Sequence, residues 1–306
     1  MLQEKIVYAG QMDCYENCTE VLEKLSGVKV GSTQIHRLTD CYGKAVEQSV
    51  NAVRTLTPLK QKEVLYVQAD GSMLLTREEG WKEVKLGRFF KSGDCIHAGS
   101  KQGWISNSQY VAHLGNSKDF TKMMDDLTES YGKLDSRLIF ISDGATWIKN
   151  WIEDAFPNAI SILDYYHASE HLHEFSKFYF KDKLTEQSWA TQQKELLLNS
   201  EVTKVIKNIK ALSKTSSQEA EKLIAYYESN LERMDYKKYK QTGCGIIGSG
   251  AIESAHRTVI QKRKKLSGQR WSKKGAQNLL NLRVTNKNHQ WAKIVELSKH
   301  GFKEAA

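Results

Sequence analysis

Residues 138–167 read LIFISDGATWIKNWIEDAFPNAISILDYYH, and this segment alternates between two apolar runs and one helical pattern. LIFIS and AISIL are near-continuous apolar runs of the length expected for buried strands. Between them, a spacing of four residues from Trp147 to Ala155 predicts a helix that stops at Pro157. Strand, helix and strand in this order predict an α/β sheet, with Asp143 directly after the first of the two strands.

An equivalent pattern lies upstream in LYVQADG, residues 65–71, where Asp70 follows a short apolar run. Residues 81–90 predict a second strand after a turn at Glu79 and Gly80, residues 95–114 supply a third, and a helical pattern follows. The predicted order is β-β-β-α-β-α-β, which favours a mixed sheet whose strand-end side chains meet at one edge. We therefore expect Asp70 and Asp143 to be neighbours.

The rest of the chain is predicted to be mainly helical. Near the N-terminus, a break at Gly27 and a cap at Ser32 or Thr33 give a helix-turn-helix outline, which fits either a DNA reader or a simple helical hairpin. The predicted segments are a helical N-terminal segment (1–55), the first part of the core (56–167), a helical insertion (168–242) and C-terminal helices (243–306).

The positions of the acids predict a metal site. A carboxylate at the end of a buried strand costs energy unless its charge is compensated, and a divalent cation is the simplest compensation. Glu253 in GSGAIESAHR, residues 248–257, opens a helical pattern in which an acid is favoured near the helix start. Asp70, Asp143 and Glu253 therefore predict a split site for Mg²⁺ or Mn²⁺, with two ions, and phosphodiester cleavage or transfer.

Charge points to a polyanionic partner. The chain carries a net charge of +9, and residues 254–287 contain ten basic residues and no acid. Such a local field attracts nucleic acid, although a solvated helix face is the alternative for any charge run. Trp271 lies within this run and suits either base stacking or packing. The predicted DNA contacts are Arg257, Lys262, Arg263, Lys264, Lys265, Arg270, Trp271, Lys273 and Lys274.

Composition sets the broad class of the protein. With 40% hydrophobic residues and two prolines in 306 residues, the chain can bury a sizeable core. No apolar segment approaches the ~20 residues needed to span a bilayer, so we expect no membrane partner. Five widely scattered cysteines fit reduced thiols, and the predicted location is the cytoplasm.

Two further sets of side chains each have more than one possible role. Asp164 ends the run SILD, and it is a rival carboxylate for direct or indirect metal contact. His167, Glu170 and His171 spell H-x-x-E-H, a zinc-hydrolase pattern that needs a helix and a third ligand. His173 is too close to be a usual third ligand, so a helix-start cluster near the DNA or the active site is the favoured interpretation.

Three blocks of this sequence together resemble one known family. ADGSM (69–73), ISDGATWIKNWIEDAFPNAISILDYYHASEHL (141–172) and GSGAIESAHRTVIQKRKKLSGQRWSKKGAQNLLNLR (248–283) are similar to bacterial insertion-sequence transposases of the ISKra type, over about residues 15–292. The resemblance implies a DDE-class enzyme with an RNase H-like core and a helical insertion like that of Mutator-like relatives. It implies metal-dependent DNA cleavage and strand transfer, with Asp70, Asp143 and Glu253 as the three acids, and a homodimer or higher oligomer on DNA.

The N-terminal region departs from the family pattern. Such transposases usually carry a longer N-terminal region with cysteine-rich or additional DNA-binding segments, whereas this chain begins close to the helix-turn-helix outline. The sequence therefore leaves two alternatives to an active transposase. One is a truncated remnant or regulator that binds DNA without cutting, and the other is an RNase H-like nuclease without strand transfer.

Overall fold

The computed structural model describes residues 2–49, 56–97, 103–132, 134, 137–212 and 217–300. The end of the predicted N-terminal segment and residues 301–306 lie outside this part of the chain. The strands are β1 (Leu65–Thr76), β2 (Gly80–Lys91), β3 (Cys95–His97), β4 (Gly103–Ile105), β5 (Gln109–Leu114), β6 (Leu138–Ser142) and β7 (Ile160–Leu163). The helices are α1 (Leu2–Met12), α2 (Tyr15–Ser26), α3 (Ser32–Ser49), α4 (Ser117–Glu129), α5 (Thr146–Ala155), α6 (Tyr165–Tyr179), α7 (Lys183–Leu198), α8 (Val202–Leu212), α9 (Gln218–Glu228), α10 (Tyr236–Tyr239), α11 (Gly250–Ala255), α12 (Lys262–Lys264), α13 (Lys273–Lys287) and α14 (Ala292–His300).

The centre of the fold is a mixed five-stranded sheet with the order β5-β2-β1-β6-β7. β1, β6 and β7 are parallel, while β2 pairs antiparallel with both β1 and β5. The predicted α/β class with a mixed sheet is confirmed, and the strands of this sheet with α4 and α5 follow the predicted order β-β-β-α-β-α-β. Residues 95–114 contain more than the one expected strand, because β3 and β4 form a separate two-stranded ribbon before β5.

Successive side chains of β1 point to opposite faces of the sheet, as in any strand. Leu65, Val67 and Ala69 join the apolar core beneath α4 and α5. Tyr66, Gln68 and Asp70 share the other face, which is covered by the insertion and the C-terminal helices. Asp70 therefore lies on the same face of β1 as Tyr66 and Gln68, whose side chains bind the loop before α11.

The position of Asp70 corrects one expectation. The sequence pattern puts Asp70 at the end of a strand, but β1 continues to Thr76 as a long hairpin with β2. The pairing of β1 with β6 ends at Gln68 and Ile141. Asp70 therefore lies just beyond the point where the sheet loses β6, and Asp143 directly follows β6. Asp70 and Asp143 are therefore neighbours at the position where β6 ends beside the continuing β1, and not at a shared end of two strands.

The predicted insertion is helical, from α6 to α10, with a short 3₁₀ turn at Leu231–Arg233. α6 begins at Tyr165, three residues before the predicted boundary, because Asp164 caps the helix by accepting from the backbone N–H of Tyr166 at 2.8 Å. Apolar side chains of these helices pack with Tyr66 and Phe90 on the second face of the sheet. No helix within the described ranges has the length and apolar character needed to cross a membrane.

The N-terminal helices pack directly on the C-terminal part of the chain. α2 ends at Ser26 with Gly27 in the left-handed region, and α3 begins at Ser32, as predicted. α3 lies so close to α13 that a Cβ atom at Gly43 would be 2.3 Å from the carbonyl oxygen of Asn278. The N-terminal helices therefore form one packed body with α13.

Candidate functional site

The three predicted acids line one cavity. Asp70, Asp143 and Glu253, from distant segments of the chain, surround a space of about 240 Å³ together with Asp164. The remaining lining residues are Ala69, Tyr166, His167, Glu170, Ser249 and Ile252. The structure thus brings together both the predicted triad and its rival carboxylate.

The helix that carries Glu253 is held against the sheet by buried polar side chains. Gln68 is fully buried, donates to the carbonyl of Gly248 at 3.1 Å and accepts from the N–H of Ile252 at 2.9 Å. Arg88, opposite Gln68 on β2, donates to the carbonyl of Ala251 at 2.6 Å. These bonds fix both ends of the first turn of α11 and so position Glu253 relative to β1.

Ser249 links Asp164, at the start of α6, to Glu253 on α11. Its hydroxyl oxygen lies 2.5 Å from Oδ2 of Asp164 and 3.1 Å from Oε1 of Glu253. A serine hydroxyl has one proton to donate, so it donates to one carboxylate at a time. Asp164 also caps α6. Ser249 therefore couples the loop before α11 to the start of α6.

Burial and mutual repulsion shape the electrostatics of the cavity. Desolvation, together with the negative charges of Asp143, Glu253 and Glu83, raises the pKa of Asp70 to about 6, despite a hydrogen bond from the N–H of Gly71. Desolvation also raises the pKa of Asp164, although hydrogen bonds from Ser249 and Tyr166 oppose the shift. The site concentrates negative charge that a cation would relieve.

His256 is a site residue that sequence reasoning did not identify. It begins a π-helical turn, His256–Gln261, between α11 and α12, and its buried Nε2 atom lies 3.4 Å from Oδ2 of Asp70. Among the described residues, neither ring nitrogen has a hydrogen-bond partner of good geometry. Burial lowers the pKa of His256 to about 4, so the ring is neutral at pH 7 and does not balance the charge of Asp70.

The insertion contributes a buried cation behind Asp143. Arg233 donates to the hydroxyls of Ser161 and Ser142 at 3.0 and 2.8 Å, next to the ends of β6 and β7. The charge of Asp143 raises the pKa of Arg233, whereas burial lowers it more strongly. The sequence around Arg233 does not indicate this contact, because 91 positions separate Arg233 from Ser142.

Tyr226 packs against Gly144, the residue that follows Asp143. Tyr227 is buried as expected for a core residue, but the ring of Tyr226 packs over Gly144, where a Cβ atom would be 2.4 Å away. Its hydroxyl is buried without a hydrogen-bond partner in the described part of the chain. Burial and the charges of Asp143 and Asp164 raise its pKa. This contact explains why Asp143 is followed by glycine.

The carboxylate oxygens have the chemistry that Mg²⁺ and Mn²⁺ prefer. In the described residues, no three His, Cys, Asp or Glu side chains converge closely enough to form a metal centre by themselves. Mg²⁺ is commonly bound by one or two carboxylates plus water and substrate phosphates, so acids spread around a cavity suit it as a donor set. The raised pKa of Asp70 is a further sign of uncompensated negative charge.

The H-x-x-E-H residues lie on the first turns of α6. His167 and Glu170 line the acid cavity, with His167 Nδ1 3.6 Å from Glu170 Oε2. His171 instead packs against the ring of Tyr226, with centroids 4.7 Å apart. This arrangement agrees with a helix-start cluster beside the acids, and it adds no third zinc ligand among the described side chains.

The predicted DNA-contacting residues divide into exposed and buried sets. Arg257, Lys262, Lys265, Arg270 and Lys274 are exposed. Lys273 is half-buried and forms an ion pair with Glu79 at 2.5 Å. The exposed set is accessible to phosphates along this surface, whereas Lys273 is partly exposed and already paired with Glu79.

Arg263 and Lys264 correct the sequence-based expectation, because each is only 1% exposed and neither can contact DNA in this structure. Arg263 donates to the carbonyl of Gly10 at 3.2 Å and packs on the rings of Tyr15 and Trp271. Lys264 donates to the carbonyl of Ala276, and burial with two nearby arginines lowers its pKa far below the usual range.

Trp271 also has a packing role. Its Nε1 atom donates to the carbonyl of Lys264 at 3.1 Å, and its backbone bridges to Thr76 on β1. Periodicity does not distinguish these inward-facing residues from the exposed basic positions beside them.

The comparisons with known proteins give a family without a described activity. Residues 1–301 match an uncharacterised protein family, UPF0236. The chain belongs to this family. It is also similar to a protein of Streptococcus gallolyticus described as "UPF0236 protein in vanSb 3'region", with 25% identity over 297 residues. That alignment covers 93% of this chain and 63% of the relative, so the chain spans less than two thirds of the relative's length.

Proposed function

We propose that this UPF0236 protein is a DDE-type DNA transposase that cleaves DNA and transfers strands at insertion-sequence ends. The observation that carries the proposal is the convergence of Asp70, Asp143 and Glu253 on one cavity from segments far apart in sequence. Such a cluster of acids opposes folding, because burial and, to a smaller extent, the neighbouring negative charges raise the pKa of Asp70, and a perturbed carboxyl in a cavity supports a functional role.

The sheet supports an RNase H-like core for this proposal. Numbered in chain order, its five strands are arranged 3-2-1-4-5, and only the second runs antiparallel to its neighbours. This is the arrangement expected of an RNase H-like sheet. Asp70 on the first strand, Asp143 after the fourth and Glu253 on a later helix then correspond to the three acids of the resemblance described above.

Asp70, Asp143 and Glu253 would hold Mg²⁺ or Mn²⁺, with Asp164 as a further candidate. Bound divalent ions would polarise the scissile phosphate and help to generate the attacking hydroxyl. The role of this chain's own residues is positional: Gln68 and Arg88 fix the first turn of α11, and Ser249 restrains the carboxylate of Glu253.

A groove beside the acids supports a path for DNA. Its volume is about 910 Å³, and Tyr166 lines both this groove and the acid cavity. Exposed Trp104 and Tyr166 give it aromatic surface, and Lys240 gives it positive charge. Stacking surfaces beside cations suit an unpaired nucleotide next to the scissile phosphate. The exposed basic residues from Arg257 to Lys274 extend the positive surface.

The test is cleavage of labelled DNA that carries the ends of the element, with Mg²⁺ or Mn²⁺ and the full chain. We expect metal-dependent nicking and joining of the 3′-hydroxyl product to a second DNA. Asp70→Asn, Asp143→Asn and Glu253→Gln should each abolish both reactions. Asp154→Asn and Glu195→Gln change exposed acids on α5 and α7 and serve as matched controls.

Each outcome has a distinct meaning. Nicking without joining would support a nuclease instead of a transposase. Metal-independent DNA binding without nicking would support a DNA-binding regulator. Full activity in any one of the three acid variants, with unfolding unchanged, would remove that residue from the proposed site.

A further inference from the structure

Two cysteine thiols from opposite parts of the chain meet beside the proposed active site. The Sγ atoms of Cys95 and Cys244 are 2.8 Å apart, although 149 positions separate them in sequence. A disulfide bond is about 2.05 Å long. The two sulfur atoms therefore need to approach by less than about 1 Å to become bonded. Cys95 begins β3, and Cys244 lies in the loop that leads to α11.

The backbone around Cys244 is fixed in a way that holds its side chain at this contact. Gly243 and Gly245 both have positive φ, 58° and 73°, which other residues rarely adopt. A Cβ atom at Gly243 would lie 2.5 Å from Val64 Cγ2 and 2.6 Å from the Tyr66 hydroxyl oxygen. That hydroxyl accepts from the N–H of Cys244 at 3.1 Å and donates to the carbonyl of Thr242 at 2.9 Å. The contact between the sulfur atoms is therefore supported by the surrounding fold.

The groove beside the acids gives a small reagent access to Cys95, and Cys244 is also partly exposed. Both cysteines are half-buried, and Cys95 and Gly245 line the groove of about 910 Å³. Hydrogen bonds with Cys95 and Tyr66 lower the pKa of Cys244, whereas the same contact raises that of Cys95. A thiolate is the attacking species in thiol–disulfide exchange, so the lowered pKa of Cys244 and its contact with Cys95 favour Cys244 as the first nucleophile and Cys95 as the resolving thiol.

We propose that Cys95 and Cys244 are a redox modification site that forms a reversible disulfide by exchange with a low-molecular-weight disulfide. The Cys244 thiolate attacks one sulfur of the reagent, forms a mixed disulfide and releases one thiolate. Cys95 then loses its proton, attacks the Cys244 sulfur and releases the second thiol. Two protein thiols are oxidised, and one reagent disulfide is reduced to two thiols.

The bond would tether the loop that positions the third acid. From Cys244 the chain runs through Gly248, which Gln68 binds, to Ser249, whose hydroxyl contacts Asp164 and Glu253. A covalent link to β3 would restrict the opening of this loop. Amide hydrogen exchange across residues 244–253 should therefore slow in the oxidised protein.

The test treats the reduced full chain with oxidised glutathione, alkylates the remaining thiols in denaturant so that buried Cys18 also reacts, and maps the peptides by mass spectrometry. We expect two of the five thiols to escape alkylation, a peptide pair joined through Cys95 and Cys244, and full reversal by dithiothreitol. Cys41→Ser removes an exposed thiol elsewhere and should leave the cross-link intact. Cys95→Ser should instead accumulate glutathione on Cys244.

Contrary results are equally clear. The proposal fails if all five thiols remain open to alkylation, if the cross-link joins other cysteines, or if glutathione accumulates on the unaltered pair. Unchanged hydrogen exchange at 244–253 despite a formed bond would overturn the tethering of the loop. None of these measurements depends on DNA cleavage, so they stand apart from the proposed transposase activity.

Discussion

The Nε2 atom of His256 lies 3.4 Å from Oδ2 of Asp70, where the helical segment that carries Glu253 touches the central strand. Because burial lowers the pKa of His256 to about 4, the ring is neutral at pH 7. The carboxylate of Asp70 thus gains no positive neighbour from this contact. It remains a partly buried acid among other acids, and this determines how the protein should respond to pH and metal.

Asp70→Asn should stabilise the metal-free protein at pH 7. The pKa of Asp70 rises from 3.8 to about 6 on folding, so the folded state binds a proton more tightly than the unfolded state between these values. Ionisation of Asp70 therefore removes stability as the pH rises through this window. A shift of two units corresponds to about 3 kcal/mol. Because the side chain is 38% exposed, screening reduces the expected gain to about 1 kcal/mol.

Denaturant unfolding with a chelator at pH 4 and pH 7 measures this effect. The gain should be present at pH 7 and absent at about pH 4 or below, where the wild-type carboxyl is already protonated. Added Mg²⁺ should then stabilise the wild type more than Asp70→Asn. If Asp70→Asn and the wild type had the same free energy of unfolding at both pH values, ionisation of Asp70 would not destabilise the folded protein.

Ser249→Ala should impair cleavage more than it impairs folding. Loss of the hydroxyl removes a donor from Asp164 and the restraint on Glu253. Losing a hydrogen bond to a buried carboxylate costs about 1–3 kcal/mol, whereas misplacing a metal ligand can lower activity by about 10–100-fold. Cleavage rates and thermal unfolding should be compared with Ser267→Ala, an exposed serine in the following loop. Equal cleavage by both variants would rule out a positioning role for Ser249.

Exposed and buried basic residues should respond differently to charge removal. Arg257→Gln and Lys262→Gln should each weaken DNA binding and reduce the slope of log affinity against log salt by about one ion per lost phosphate contact. Lys264→Met should retain that slope, because Lys264 is buried under Ala276. Binding titrations at several salt concentrations decide the matter. A normal slope in Arg257→Gln together with a reduced slope in Lys264→Met would reverse the assignment.

Trp104→Ala should weaken binding of single-stranded DNA by roughly 5–100-fold, since stacking of one base on an aromatic ring contributes about 1–3 kcal/mol. Trp104 is 55% exposed in the groove beside the acids. Trp81 is 63% exposed at the start of β2, and Trp81→Ala is the matched control. Fluorescence titration without metal separates binding from cleavage. Equal losses in both variants would show that the groove is not a stacking site.

Much of the fold was predictable from the sequence, because strands and helices each have a characteristic local periodicity of apolar residues. The paired Asp-Gly steps predicted Asp70 and Asp143 as neighbours, and the cap at Ser249 agrees with the predicted start of a helix before Glu253. The continuation of β1 to Thr76 was missed, because its pairing with β2 extends the strand past the acid.

The residues that support the acids could not be predicted in the same way. Arg233 and Gln68 act through contacts that join positions far apart in sequence. Arg263 and Lys264 look like surface cations in a basic run, but the packing of α1 and α13 encloses them. Burial is a property of the assembled fold, so a local charge pattern does not reveal which members of the run face inward.

The burial of Arg263 and Arg283 affects where the chain can be shortened to obtain a smaller folded fragment. Arg263 and Arg283 direct their guanidinium groups to carbonyls of Gly10 and Gln11, at the end of α1. Removing the first helix would leave two buried positive charges without these acceptors, directly behind the turn that follows Glu253. The N-terminal helix is therefore a structural part of the body that carries the four acids, and we expect a fragment that begins after this helix to be less stable than the full chain.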